Sequence, residues 1–172
     1  MKQLIAIALL SILLAPAAAR AQEPVVGVKD PESLFTDKDP KLHANKQVVM
    51  HIMRDLLEAN HWADAPKYLS DRYLQHNPNV KSGLKPVMDY FTTAPGRQPT
   101  PIPARDKWKT GVVAVLAEGD LVSVAIAREY DDPRTPGKKY TSTWFDMWRI
   151  VNGKADEHWD AATISPPARP GQ

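Results

Sequence analysis

The residues best able to do chemistry lie in two aromatic-rich stretches near the C-terminal end. Thr143-Trp144-Phe145-Asp146-Met147-Trp148-Arg149-Ile150 is followed, after Val151-Asn152-Gly153, by Ala155-Asp156-Glu157-His158-Trp159-Asp160. Aspartate is depleted in strand interiors. A carboxylate buried without a partner among Trp, Phe and Met is costly, so Asp146 needs either a charged partner or a task.

Which groups share a face depends on the turn between the two stretches. If Val151-Asn152-Gly153 is a three-residue turn with glycine in the left-handed region, Asp146 faces His158 and Trp144 faces Asp160. If Asn152-Gly153 is a two-residue turn, Asp146 faces Trp159. The three-residue turn is expected, because it gathers Trp144, Asp146, Trp148, His158 and Asp160 on one face and leaves Phe145, Met147 and Trp159 on the other. On that face the Trp rings disfavour the charged form of Asp160, which suits a general acid or base. Asp146 stays ionised and fixes the orientation and tautomer of His158. The competing structural reading is a cross-strand Asp146–His158 ion pair that only sets register, with Asp160 a strand-end residue partly in water.

His76-Asn77-Pro78 adds an imidazole and a carboxamide where a helical segment ends, a position that can face a cavity mouth or simply close a turn. Trp144 and Trp148 would line the same surface, so His76, Asn77, Trp144 and Trp148 are the expected substrate contacts. His158, Asp146, Asp160 and His76 could hold a divalent metal, but no short ligand pair such as HExxH is present, and neither metal nor cofactor is expected. Serine-nucleophile patterns, glycine-rich phosphate loops and calcium loops are absent from the sequence. His43, His51 and His61 read as surface or flank residues.

These groups must be positioned by a chain that begins with helices. Asp39-Pro40 is a helix-start signal, and Val48, Val49, Ile52, Met53, Leu56 and Leu57 recur at helical spacing. A shorter helical patch follows around Ala65 to Leu69, and Ser82 opens a third helix carrying Val87, Met88, Tyr90 and Phe91. Residues 92 to 107, rich in proline, predict a long exposed loop. The period then changes to that of strands: Trp108 to Ala117, Leu121 to Tyr130, Lys139 to Val151, and Ala155 to Ile164. Three helices followed by four strands is an α+β pattern, with helices on one face of a curved antiparallel sheet.

Composition narrows the function. Lys2 and Arg20 account for the whole excess of 22 basic over 20 acidic residues, so residues 22 to 172 are neutral, which argues against a nucleic-acid partner. The absence of cysteine excludes disulfides, thiolate metal sites and cysteine nucleophiles. Lys2, the apolar run Leu4 to Leu14 and Ala19-Arg20-Ala21 predict a secretory signal peptide over residues 1–21, cleaved after Ala21. It is too short to span a membrane. The mature protein is therefore expected to be periplasmic or secreted and not membrane-embedded. Residues 22–38 read as an extended lead-in with Leu34 and Phe35 its docking residues, residues 39–164 as one domain, and residues 165–172 as a disordered tail.

YLQHNP (Tyr73 to Pro78), SGLKPVMDYF, EGDLVSV and above all FDMWRIVNGKADEHWD (Phe145 to Asp160) resemble the SnoaL-like, polyketide cyclase-like branch of the nuclear transport factor 2-like superfamily. The resemblance spans about Pro40 to Ile164. It implies a cone-shaped, barrel-like fold, with three N-terminal helices packed on a curved four-stranded antiparallel sheet around an apolar pocket, and dimerisation through the sheet's outer side. In the enzyme that names the branch, an aspartate near the end of the last long strand is the acid/base of a metal-free aldol closure, and Asp160 matches it. Asp146 matches a second pocket position. Histidines found in the second strand of such relatives are replaced here by Ala125 and Ala127.

The readings that follow are an exported cofactor-independent enzyme acting on an activated carbonyl compound, an exported small-molecule-binding protein using the same pocket without turnover, or a homodimeric structural module.

Overall fold

The computed structural model describes residues 22–93 and 95–164. The expected signal peptide, 1–21, and tail, 165–172, lie outside them.

The lead-in docks as a strap. Phe35, at the end of a 3-10 turn (Pro31–Phe35), is fully buried and tilts against Trp108. Gly27 crosses the chain at Gly111 so closely that an added Cβ would stand 2.5 Å from the Gly111 backbone. Val28 donates its amide to the Val112 carbonyl.

Helix α1 (Pro40–His51) starts as its sequence demands: Asp39 Oδ1 accepts from the amides of Lys41 and Leu42, and Pro40 takes the first turn, where no amide is needed. The helix continues as a π-helical segment, Ile52–Glu58. Its polar side is pinned through buried Asp55, which accepts from Arg54 Nε, the Tyr68 hydroxyl and the His51 ring. Its apolar side carries Ile52, Met53 and Leu56 into the core with Val49, Val122, Val124 and Trp148. Helix α2 (Ala65–Tyr68) is a single turn, and α3 (Leu84–Thr92) starts after Gly83. Ser82, expected to open α3, instead accepts from the Gln75 amide.

The strands are β1 (Leu69–Gln75), β2 (Gly111–Glu118), β3 (Leu121–Asp131), β4 (Lys139–Val151) and β5 (Lys154–Asp160), in the sheet order β1-β5-β4-β3-β2. This corrects the expected four-stranded antiparallel sheet. A fifth strand, β1, pairs parallel with β5 and precedes α3, so the three helices are not consecutive. Strand β1 escaped the sequence reading because its two buried residues, Leu69 and Tyr73, are four apart, a spacing that helix and strand share, while Asp71 between them is exposed beside a register irregularity. Further irregularities in the β2–β3 and β4–β5 pairings bend the sheet.

The β4–β5 turn also differs from expectation. Val151 pairs with Lys154, so Asn152-Gly153 is a two-residue turn, with both residues at positive φ (52° and 75°). A register shift then follows, with Ile150 opposite Ala155 but Arg149 opposite Glu157, leaving Asp156 as an extra residue. This bulge restores the parity that the shorter turn would have changed. Asp146 stands opposite Asp160, Trp148 opposite His158 and Met147 opposite Trp159. The expected partners are wrong by two residues, while the expected division into two faces holds.

Candidate functional site

The inner face of the sheet, the π-helical segment and α3 enclose a cavity of about 570 Å³, within the size range of small-molecule sites. One wall is apolar: Trp62 and Phe91 stack with ring centroids 4.1 Å apart, backed by Ile52 and Met53. The opposite wall carries Trp144, Asp146, Trp148, His158 and Asp160 from β4 and β5.

Asp146, His158 and Asp160 form the centre of that wall, with one oxygen or nitrogen from each lying within 4.8 Å of the others. Asp146 and His158 are buried, and Asp160 is half-buried. Each is held by a second group. Trp144 Nε1 donates to Asp146 Oδ1 at 3.0 Å, Asn77 Nδ2 donates to Asp160 Oδ2 at 2.7 Å, and His158 Nδ1 lies 2.6 Å from Gln75 Oε1. The Ala162 amide adds a second donor to Asp160. Asp160 is thus framed by an amide side chain and a backbone N–H rather than by the expected Trp rings.

The Gln75 contacts settle the imidazole's tautomer. Gln75 Oε1 also accepts the Asn77 backbone N–H at 3.1 Å, which identifies it as the carbonyl oxygen, so His158 Nδ1 is the donor toward it. His158 Nε2 then faces Asp146 Oδ1 at 3.4 Å.

Tyr73 completes the site. It is buried and lines the cavity, and its hydroxyl accepts from Trp148 Nε1 at 3.0 Å. Its own O–H proton meets no acceptor among the described residues. Burial pushes its phenol well above the usual tyrosine range, so it stays a donor.

Of the residues expected at the site, Asp146, His158, Asp160, Asn77, Trp144 and Trp148 line the cavity and His76 does not. His76 lies on the other side of the sheet, with Nε2 2.9 Å from Glu157 and its ring stacked on Trp159. Alternation along β1 puts Gln75, not His76, toward the cavity. Gln75 and Tyr73 were missed because their strand was missed. The tyrosine and glutamine within YLQHNP, two residues apart, are the signal that a strand reading would have used.

No metal was expected. The fold nonetheless brings together a donor set of suitable chemistry in Asp146, His158 and Asp160, each oriented by an outer hydrogen bond of the kind that supports metal ligands. No cofactor-binding motif accompanies them.

The chain is an α+β protein whose curved five-stranded sheet and helices enclose this cavity. It is similar to solved NTF2-like and SnoaL-like structures. An NTF2-like protein of unknown function from Burkholderia pseudomallei K96243 is 20% identical, with 70% of this chain and 91% of that one covered and a TM-score of 0.45. A protein provisionally assigned as a SnoaL-like polyketide cyclase, from Jannaschia sp. CCS1, is 14% identical over 73% and 91%, with a TM-score of 0.49. A LEH-like epoxide hydrolase from Mycobacterium tuberculosis is 10% identical over 68% and 80%, with a TM-score of 0.47. No family model and no curated protein matches the chain. These likenesses concern fold, and the chemistry rests on this chain's own residues.

Proposed function

We propose that the protein is an exported, cofactor-independent enzyme that removes a proton next to an activated carbonyl group of a small molecule and uses the resulting enolate in proton transfer or aldol closure. The observation that carries this reading is the convergence of Asp146, His158 and Asp160 within 4.8 Å on the wall of the cavity.

Asp160 is the base. Asn77 and Ala162 hold its carboxylate in place, and its remaining lone pairs accept the carbon-bound proton. The electron pair of the broken C–H bond moves onto the carbonyl oxygen. Tyr73 O–H is the donor available to that oxygen, and Gln75 and Asp146 hold the His158 ring beside it. Returning the proton from Asp160 to a different atom gives isomerisation. In aldol closure the enolate carbon bonds to a second carbonyl carbon, and the alkoxide formed takes the proton from Asp160.

The test is deuterium incorporation from D₂O into β-dicarbonyl compounds, with EDTA present. Wild-type protein should exchange the acidic carbon, and Asp160→Asn should lose on the order of a thousandfold in rate. Exchange that EDTA abolishes and a divalent ion restores would reassign Asp146, His158 and Asp160 as metal ligands. Absence of exchange by the wild type, with the same compounds raising its melting temperature, would establish a binding protein instead.

A further inference from the structure

The described chain holds seven arginines, and five of them have carboxylate partners: Arg54 with Asp55 and Glu32, Arg72 with Asp156, Arg105 with Asp30, Arg134 with Asp132, and Arg149 with Asp120 and Glu157. The other two, Arg97 and Arg128, have none among the described residues, and both line the cavity. Lys109, from the segment entering β2, lines it too, and its ammonium group has no carboxylate partner among the described residues.

The backbone places Arg128, an exposed residue, at the rim of the cavity. It follows Val122, Val124 and Ile126 in alternation on β3, the three opposite Trp148, Asp146 and Trp144, so its side chain belongs to the cavity face. Its guanidinium lies 3.7 Å from the centroid of the Trp144 ring, whose N–H edge holds Asp146. Its N–H groups meet no acceptor among the described residues, and a guanidinium can grip a carboxylate with two parallel hydrogen bonds. Arg97 lies 5.3 Å from the Phe91 ring centroid, on the loop bordering the same cavity. The lining thus carries both signs of charge, Asp146 and Asp160 with Arg97, Lys109 and Arg128, and Trp144 touches Arg128 with its ring face and Asp146 with its N–H edge.

We infer that the ligand of this cavity is a short oxo acid, its carboxylate held by Arg128 with Arg97 and Lys109 nearby, and its activated carbonyl carbon directed to Asp160. The choice of carbonyl rests on the proposed function, whereas the choice of a carboxylate rests on the unpartnered cations alone. The ligand is short because Trp144 and Asp146 are two residues apart on β4, a step of about 7 Å along a strand.

The pair 4-acetyl-5-oxohexanoate and its ethyl ester tests this, since the two share a β-diketone and differ in whether the tail is charged. Affinity is read from tryptophan fluorescence, independently of turnover. The acid should bind wild-type protein about tenfold more tightly than the ester at low ionic strength, and added salt should shrink the preference. Arg128→Gln should bring the ratio close to one, while Lys85→Gln, at a paired lysine on α3, should leave it in place. Equal or tighter binding of the ester, no binding of either compound, or a preference that survives Arg128→Gln would overturn the inference. Deuterium exchange that depends on Asp160 yet runs equally with both compounds would overturn it and leave the proposed function standing. An acid preference without exchange would do the reverse.

Discussion

His158 is held on both sides, by the Gln75 carbonyl oxygen at Nδ1 and by Asp146 at Nε2, while its ring lies between those of Tyr73 and Trp148. Such a residue has little rotamer freedom. The carboxylates and the imidazole were legible in the sequence because aspartate and histidine are out of place on aromatic strands, and alternation alone sorts them from Phe145, Met147 and Trp159. Gln75 and Tyr73 were not legible, since they reach His158 and Trp148 across 83 and 75 residues of sequence, brought there by the parallel pairing of β1 with β5. The two-face arrangement yields a paired test. Asp146→Asn removes the carboxylate that faces His158 Nε2 and should slow exchange on the order of a hundredfold, the lower end of what general acid–base groups contribute. Trp159→Phe, on the outer face against His76, should leave exchange within about twofold. Steady-state rates on one β-dicarbonyl substrate compare them, and equal losses would break the assignment of faces.

At the scale of elements, two errors compensated. A two-residue turn alone would have set Asp146 opposite Trp159, but the bulge at Asp156 returns His158 and Asp160 to the inner face. The sequence signal for the bulge is slight: an aspartate between Ala155 and Glu157, whose carboxylate binds Ser70 and Arg72 on β1. Turn chemistry is local and readable, whereas a bulge fixed by a neighbouring strand is not. The π-helical segment raises a related point, because it presents Ile52, Met53 and Leu57 to the cavity while Asp55 faces the opposite way. Burial pushes the Asp55 carboxyl upward, but hydrogen bonds from Arg54 and His51 outweigh it and hold the group below the usual carboxylate range. With the folded value below the unfolded one, the stabilisation is fully present above about pH 4 and is lost as pH falls through the lowered folded value. Asp55→Asn should therefore cost about 2 kcal/mol at neutral pH. It should also flatten the acid limb of a plot of stability against pH, as denaturant melts between neutral and acidic buffers would record. An unchanged acid limb would mean that Asp55 does not hold the segment.

The whole molecule is a neutral domain, without cysteine, behind a segment that reads as an address. A domain without disulfides must hold its termini by packing, and the lead-in does so from its first described residue. Gln22 Nε2 donates to the Thr141 carbonyl, and the Val25 amide donates to Thr141 Oγ1 on β4. Phe35 then closes the core, and Arg105 of the proline-rich loop pairs with Asp30. Cleavage after Ala21 would leave every one of these contacts intact and remove the two cations in excess, Lys2 and Arg20. The proposed export thus makes a definite prediction about mass. The chain expressed in a Gram-negative host should be recovered from the periplasm with Gln22 as its first residue. Replacing the small residue at the cleavage site, Ala19→Asp, should keep the longer chain attached to its signal, because the peptidase requires small side chains there. Intact-mass measurement of fractionated cells reads both, and a full-length wild-type chain confined to the cytoplasm would overturn the assignment.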